Sequence, residues 1–597
     1  MNFTVISYRL AAVCISINLF FSLSVTNNSL LLRELFIFGA AAFLLGPIVL
    51  SITNNRMVFY KSRFWVSYFL LVSLFIVLST VNSDAPEVIT VFGWLGRADG
   101  IFLLLSVIII FLGLSSSSSY ESSTVLLGIF VGLGISSLIG LLQVLGFNPV
   151  PTAGYSGVSA TFGNPNFSGA IFGLSSIALF WYSFNFKQAF IKYSLIALSA
   201  WWLVLSVLSE SLQGPVTAGL TLFVTLYFKL IAFSSLKIRL RKYLVVVVPM
   251  FSIIFVCIVS VSTNFISQVL NLYTIQTRQN YWVSAVRMAR DNFLFGVGPD
   301  NFQRYVGMYK PLEQIELMGP NIMVSAAHNV FLQKAATLGF PAALLLFSLL
   351  IYPLYLLFKE SVFSHQNNEV GFDRLALISL LVGYLIQSLI SIDAPSSKVI
   401  GWAAAGLVIA SYSKDRLIVT KKRTTSQGQP RSITTVWTAS TMGVIFFFIP
   451  SLINLSHTSA YELSEQKAMS MLQSRWTPCQ IRFELLLKVK ESRPHLLADE
   501  FVDKLVEVDD RCYEVLSTLV NWSLSQNNPT VALSLSERLV EIDPLNYRRF
   551  LALADSQRVA GQTRLAKEAF EKSKSLYLLF PDPADDTLMR AFESVFE

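Results

Sequence analysis

The stretch LVVVVPMFSIIFVCIVSV, Leu244 to Val261, runs for 18 residues without a charge. As a helix rising about 1.5 Å per residue it covers roughly the ~30 Å of a bilayer's hydrocarbon core, so it reads as a membrane span. A polar segment follows at once, Ser262 to Thr337, carrying Arg278, Arg287, Arg290, Asp300 and His328. From Ala342 to Phe358 the chain turns apolar again. One large charged loop held between two spans is where such a protein is expected to place its chemistry.

Outward from this loop the same pattern repeats. Apolar windows centre near residues 17, 42, 73, 105, 133, 175, 201, 223, 252, 349, 382, 406 and 443, which predicts about thirteen spans. With 53% hydrophobic and only 14% charged residues, the chain reads as an all-α, polytopic helical bundle. Ala11 to Val25 lacks a small-residue cleavage site and reads as the first span rather than a cleaved signal.

Orientation follows from the basic residues, which stay on the cytoplasmic side of short loops. Alternate connections hold Arg56, Lys61 and Arg63, then Lys187 and Lys192, then Lys237, Arg239, Arg241 and Lys242, then a cluster from Lys414 to Arg431. The others hold little beyond Arg33, Arg97 and Lys398. The N-terminus is thereby expected in the cytoplasm, with the large loop and the C-terminal region outside. The formal net charge of +8 is explained by these cytoplasmic loops and by anionic lipid, so nucleic acid is not expected as a partner.

Residues 1–455 form the predicted membrane domain, and after Leu455 the composition becomes mixed and charged. Residues 456–597 carry a 34-residue period: Leu485, Leu519 and Leu553 recur in step, as do Ala498, Ala532 and Ala566, and Val508, Ile542 and Leu576. The period resembles tetratricopeptide repeats, whose stacked helix pairs offer a surface to a protein partner. Cys479 and Cys512 fall in this domain, where an oxidising compartment permits a disulfide; Cys14 and Cys257 fall within spans.

Within the loop, NYWVSAVRMAR, Asn280 to Arg290, is apolar at Tyr281, Trp282, Ala285, Val286 and Ala289, the pattern of an amphipathic helix at the membrane surface with Arg287 and Arg290 beside the apolar face. Arg278 precedes it by one turn, as a fixed cation at a helix start. GVGPDNF, Gly296 to Phe302, reads as a turn, with a backbone nest for an anion as the alternative. His328 and Asn329 stand just before a helix that enters the membrane, and an ionisable group there points to function. A neutral imidazole accepts a proton from an attacking hydroxyl, and an always-charged guanidinium suits a diphosphate. Asp300, Asn301 and Asn329 are polar candidates for substrate contacts. Glu313 and Glu316 read as an exposed face, and no carboxylate pair at metal-binding spacing appears in the external loops, so no metal is expected. Asn164 to Asn166, NPN, reads as a helix start capped by Asn164.

TRQNYWVSAVRMARDNFLFGVGPDNF (from Thr277) followed by AAHNVFLQKAATLGFPAALLL (from Ala326) resembles the signature of the O-antigen ligase and O-oligosaccharyltransferase superfamily. GRADG at Gly96, TFGNPNFSGA at Thr161 and SLQGP at Ser211 fit its other external loops. The resemblance implies a GT-C-like bundle in the cytoplasmic membrane that transfers a glycan from undecaprenyl diphosphate to an external acceptor, which is a lipid, a protein or a cell-wall polymer. It implies inversion at the sugar, without metal or other cofactor. The family's loop arginine corresponds to Arg278 and its catalytic histidine to His328. Many members carry another arginine where this chain has Glu210 to Gly214; Arg97, beside Asp99 and Gly100, or Arg287 is the expected replacement. A glycan polymerase shares this chemistry. A flippase is disfavoured, because ionisable groups cluster at external ends rather than within several spans.

Overall fold

The computed structural model describes residues 3–21, 29–53, 63–94, 99–150, 156–233, 273–363, 371–420, 438–447, 465–492 and 497–596. Every regular element among them is helical. Twelve of the expected span centres fall on helices, and the thirteenth, near residue 252, lies outside the described residues. Among the described residues, five helices are long and apolar enough to cross a bilayer by themselves: Arg33–Ile52, Phe64–Val81, Ser119–Val144, Ala189–Leu208 and Phe340–Lys359. Thr4–Phe20, Ile101–Ser115 and Thr438–Phe447 are shorter and apolar. The chain is an all-α polytopic membrane protein.

Helix Pro165–Ser183 is central, packing on Ala189–Leu208, Gln213–Phe233 and Phe372–Ser388. Asn164 caps it as the sequence predicts, accepting the amide of Asn166 at 2.9 Å, with Pro165 in its first turn. Between helices in lipid there is little hydrophobic gain, so close backbone approach through small residues supplies the packing. Gly214 of the SLQGP motif shows this: a Cβ there would lie 2.4 Å from Ser206 Oγ and 2.7 Å from the Gly169 carbonyl. The motif is accordingly a helix-crossing device. Arg33, expected in a short loop, instead sits buried within helix Ser29–Thr53; its guanidinium donates to the carbonyls of Phe21 and Thr161 and lies over the Phe162 ring.

At one end of the bundle the loops interlock. At the other, Lys229 stands over Trp181 and Phe372 and Lys192 over Phe184, so basic side chains cover their stems with aromatic rings.

In the C-terminal region, helices begin at Cys479, Tyr513 and Tyr547, one every 34 residues, each followed by a partner helix. Leu485 and Leu519 are buried, as are Ala532 and Ala566, the periodic positions read from the sequence. Ala498, in step with the last two, is exposed as the N-cap of helix Asp499–Val508. Gly561, with φ +76°, makes the turn between the last pair. This array is no separate body. Ala85, Val88, Ile89, Phe92 and Trp94 of the loop before Ile101–Ser115 share one hydrophobic core with Leu486, Leu505, Leu516 and Leu539. Arg475 pairs with Glu87 at 2.7 Å beside that core.

Cys479 and Cys512 form a disulfide, with Cα atoms 5.7 Å apart. It joins residues 33 positions apart, so chain-entropy arguments assign it about 3–4 kcal/mol. The Cys479→Ser/Cys512→Ser double variant is expected to lower the denaturation midpoint of the C-terminal helices. An unmoved midpoint in circular dichroism of the purified chain would show that the staple contributes nothing.

Candidate functional site

The polar loop folds around helix Tyr273–Asp291, which begins two turns before the start expected from the amphipathic pattern. Arg278 therefore lies inside the helix and not at its start, a correction that removes any help from helix-end amides. The inner face is Thr277, Tyr281, Ser284, Ala285, Met288 and Ala289, a spacing of three and four residues. Val286, expected on that face, is 51% exposed, and Met288 takes the place assigned to it. Tyr281, Ala285 and Met288 pack with Phe302, Val306, Val324, Ala327 and Ala336 into a small core of the loop itself.

Gly296 and Gly298 turn the chain with φ +64° and +99°, conformations that suit glycine. The amides of Val297 and Gly298 donate to the carbonyls of Ala336 and Thr337, at 3.0 and 2.9 Å. Those donors cap the end of helix Val330–Leu338, so GVGPDNF is a turn rather than an anion nest.

His328 ends the loop with φ +52°, the left-handed region that a residue with a side chain adopts at a cost. Asn329 then caps helix Val330–Leu338, accepting the amide of Leu332 at 3.0 Å, and donates from Nδ2 to the Leu389 carbonyl at 3.0 Å. Cap and strained residue together aim the half-buried imidazole at helix Tyr273–Asp291, where it packs on Tyr281 with ring centroids 5.3 Å apart.

Arg278 stands one turn before Tyr281 on the same helix, so the phenol ring is the shared neighbour of guanidinium and imidazole. Burial lowers the pKa of Arg278, and the nearby Tyr281 is what works the other way; among the described residues no carboxylate neutralises the guanidinium. Burial likewise pushes Tyr281 up to about 12, opposed by Arg278, so the phenol remains protonated, donating to Met318 Sδ at 3.3 Å. A desolvated cation without a counter-ion is an unfavourable arrangement unless an anionic ligand completes it.

The remaining sequence-derived candidates are placed as follows. Arg97 lies outside the described residues. Arg287 is on the outer face of the helix and donates to the Tyr309 carbonyl at 3.5 Å. Asp300, at φ +53°, accepts the amides of Trp94 and Asp99 at 2.7 and 3.1 Å, and thereby fixes both ends of the segment that carries Arg97. Asn301 is fully buried and donates to Ser83 Oγ and the Val297 carbonyl. Glu313 and Glu316 are exposed, as expected. Glu210, where the second arginine was sought, accepts from Ser156 Oγ at 2.7 Å.

Sequence reasoning missed a buried ion network beneath the site. Asp99 takes Lys334 Nζ at 2.8 Å and Lys398 Nζ at 2.5 Å; Lys398 also reaches Asp393 at 3.4 Å, and Asp393 accepts from Tyr384 at 3.1 Å. Each of Asp99, Lys334 and Lys398 is buried. The network ties the loop before Ile101–Ser115 to the helix behind His328 and to helix Pro395–Thr420. Lys334, the one charged residue in VFLQKAATLGF, is a signal of it in the sequence.

Residues 195–347 match the family model described as O-Antigen ligase. The match takes in helix Ala189–Leu208 from residue 195 onward, the polar loop with Arg278 and His328, and the entry to the following membrane helix. Comparison with curated proteins and with solved structures finds no match to the chain.

Proposed function

We propose that this chain, whose residues 195–347 match the O-antigen ligase family model, is a membrane glycosyltransferase of the ligase or polymerase kind and moves a glycan from undecaprenyl diphosphate to an acceptor outside the cytoplasmic membrane. The observation that carries this reading is the partly buried Arg278, which no carboxylate among the described residues neutralises, one turn from Tyr281, whose ring lies against His328.

In this mechanism the diphosphate of the donor sits at Arg278, with its polyprenyl tail among the spans. The acceptor oxygen attacks the anomeric carbon and gives its proton to the His328 imidazole. The carbon–oxygen bond to the diphosphate breaks, its electron pair leaves with the phosphate, and Arg278 offsets the charge that grows there. Attack opposite the leaving group inverts the sugar. Tyr281, protonated, keeps the two groups apart and in register. The Cys479–Cys512 disulfide supports an oxidising, external side for the repeat region, and that region packs on the same end of the bundle as His328. The second phosphate contact falls to Arg97 or Arg287, and the 34-residue array is read as a tetratricopeptide-like domain open to a protein partner or a bulky acceptor.

Purified chain supplied with lipid-linked glycan and candidate acceptors is expected to release free undecaprenyl diphosphate; a transporter releases none. Arg278→Lys keeps the charge and loses the planar fork, and is expected to slow that release about 10- to 100-fold. Full activity of this variant would rule out two-point phosphate binding by residue 278.

A further inference from the structure

Asp509 and Asp543 are 34 residues apart and occupy the same place in successive repeats, each the C-cap of the second helix of its pair. Both are buried, and both face the polar loop. Asp509 takes Arg304 Nη2 at 2.8 Å on one oxygen and Arg482 Nη1 at 3.2 Å on the other. Asp543 takes Lys310 Nζ at 2.6 Å, and Lys310 also donates to the Pro320 carbonyl at 2.8 Å. Arg304 and Lys310 stand six residues apart, in and just after helix Phe302–Tyr309, and both are about 2% exposed.

Between the two ion pairs the backbones nearly touch: a Cβ on Gly307 would lie 2.5 Å from the Ile542 carbonyl. Beyond the second pair, Phe580 closes on Gly319, whose φ of +85° disfavours a side chain and where a Cβ would lie 3.0 Å from the Phe580 ring. Three successive edges of the array thus meet three successive pieces of the loop, in order along both segments. The other side of the same short helix presents Phe302 and Val306 to the core that holds Tyr281 and Ala327, next to His328. Buried ions gain little unless paired, and a partner lost is expensive, which makes such pairs fix position rather than add net stability.

We propose that the repeat array acts as a clamp on the reaction loop: Asp509 and Asp543, through Arg304 and Lys310, are positioning residues that set the register of Phe302–Tyr309 and, through its inner face, the juxtaposition of Tyr281 and His328. The positioning role rests on the reading of this loop as the site of glycan transfer; the docking itself does not.

The test uses the full chain in nanodiscs, with hydrogen exchange read by mass spectrometry and transfer read as undecaprenyl diphosphate released from lipid-linked glycan extracted from host membranes. Asp543→Ala leaves Lys310 buried with the Pro320 carbonyl but without its counter-ion, and is expected to speed exchange across Phe302–Tyr309 and Tyr273–Asp291 about tenfold or more, while Phe340–Phe363 is unchanged. Transfer is expected to fall about tenfold with it. The double variant Lys310→Met/Asp543→Leu removes both charges, and is expected to restore exchange and transfer to within about threefold of the parent, because two apolar partners replace a buried pair at little cost. Unchanged exchange in Asp543→Ala overturns the clamp. Faster exchange with undiminished transfer overturns its positioning role, as does a double variant that regains the exchange pattern without regaining transfer. Were the parent chain to release no undecaprenyl diphosphate, the functional reading would fail, and with it the positioning role, while the exchange arm still decides whether the array clamps the loop.

Discussion

His328→Asn is expected to cut glycan transfer about 100- to 10,000-fold while leaving the fold intact, the range typical for removal of a general base. Asparagine is the informative substitution because the residue sits at φ +52°, a conformation that asparagine tolerates and alanine resists. Alanine would mix a backbone penalty with the chemical loss. The amide retains polarity and comparable reach but takes up no proton. The measurement is surface glycan transferred in cells expressing equal amounts of variant and parent, repeated with purified protein. Near-normal transfer would exclude a base at this position and leave the Tyr281 contact as mere packing. A thermal midpoint matching the parent would show that the loss, where seen, is chemical.

Much of the molecule is legible in its sequence because lipid imposes simple rules. Apolar windows locate helices, since a backbone in hydrocarbon must satisfy its own hydrogen bonds. Local signals survive too: the cap at Asn164 and the exposed pair Glu313 and Glu316 depend on neighbours in the chain. The 34-residue period is likewise local, and the helices recur with it. What the sequence does not display is pairing across long separations. Asp99 meets Lys334 and Lys398 from 235 and 299 residues away, and no spacing rule connects them. The register of a helix in a loop is also hard to read, which is how Val286 comes to be assigned inward when it is exposed and how Arg278 appears to precede a helix that already contains it. A surface helix with apolar residues on two faces gives an ambiguous stripe, and only the packed core of Phe302 and Val306 decides between them.

The candidate polar residues divide along the same line. A buried asparagine or aspartate in a loop looks the same in sequence whether it serves a ligand or the backbone. Asp300 holds the amides of Trp94 and Asp99, Asn301 holds Ser83, and Asn329 caps a helix, so these side chains already spend hydrogen-bonding capacity on the chain itself. Arg278 differs in kind, because its charge meets no acid among the described residues. An anionic ligand is thus better sought at the guanidinium than at the amides and carboxylates around it.

The second large effect is expected at Asp99. Asp99→Ala deprives Lys334 of its carboxylate and leaves Lys398 with Asp393 alone, at 3.4 Å. Removal of one member of a buried ion network typically costs about 3–5 kcal/mol, because the partner left behind cannot regain its hydration. Both lysines are at least nine-tenths buried, so the loss should be nearly insensitive to added salt, unlike that of a surface pair. The cost falls on transfer as well as on stability. Lys334 lies about one turn into the helix that Asn329 caps, and a helix freed to rotate by a fraction of a turn carries His328 away from Tyr281. Adding Lys334→Met to Asp99→Ala removes one stranded charge and is expected to recover part of the stability without restoring full transfer, since the tie to the loop before Ile101–Ser115 stays broken. The measurement is thermal unfolding in detergent at low and high salt alongside transfer by each variant. A midpoint for Asp99→Ala within a degree or so of the parent would mean that water reaches these lysines, and the network would then hold nothing in place.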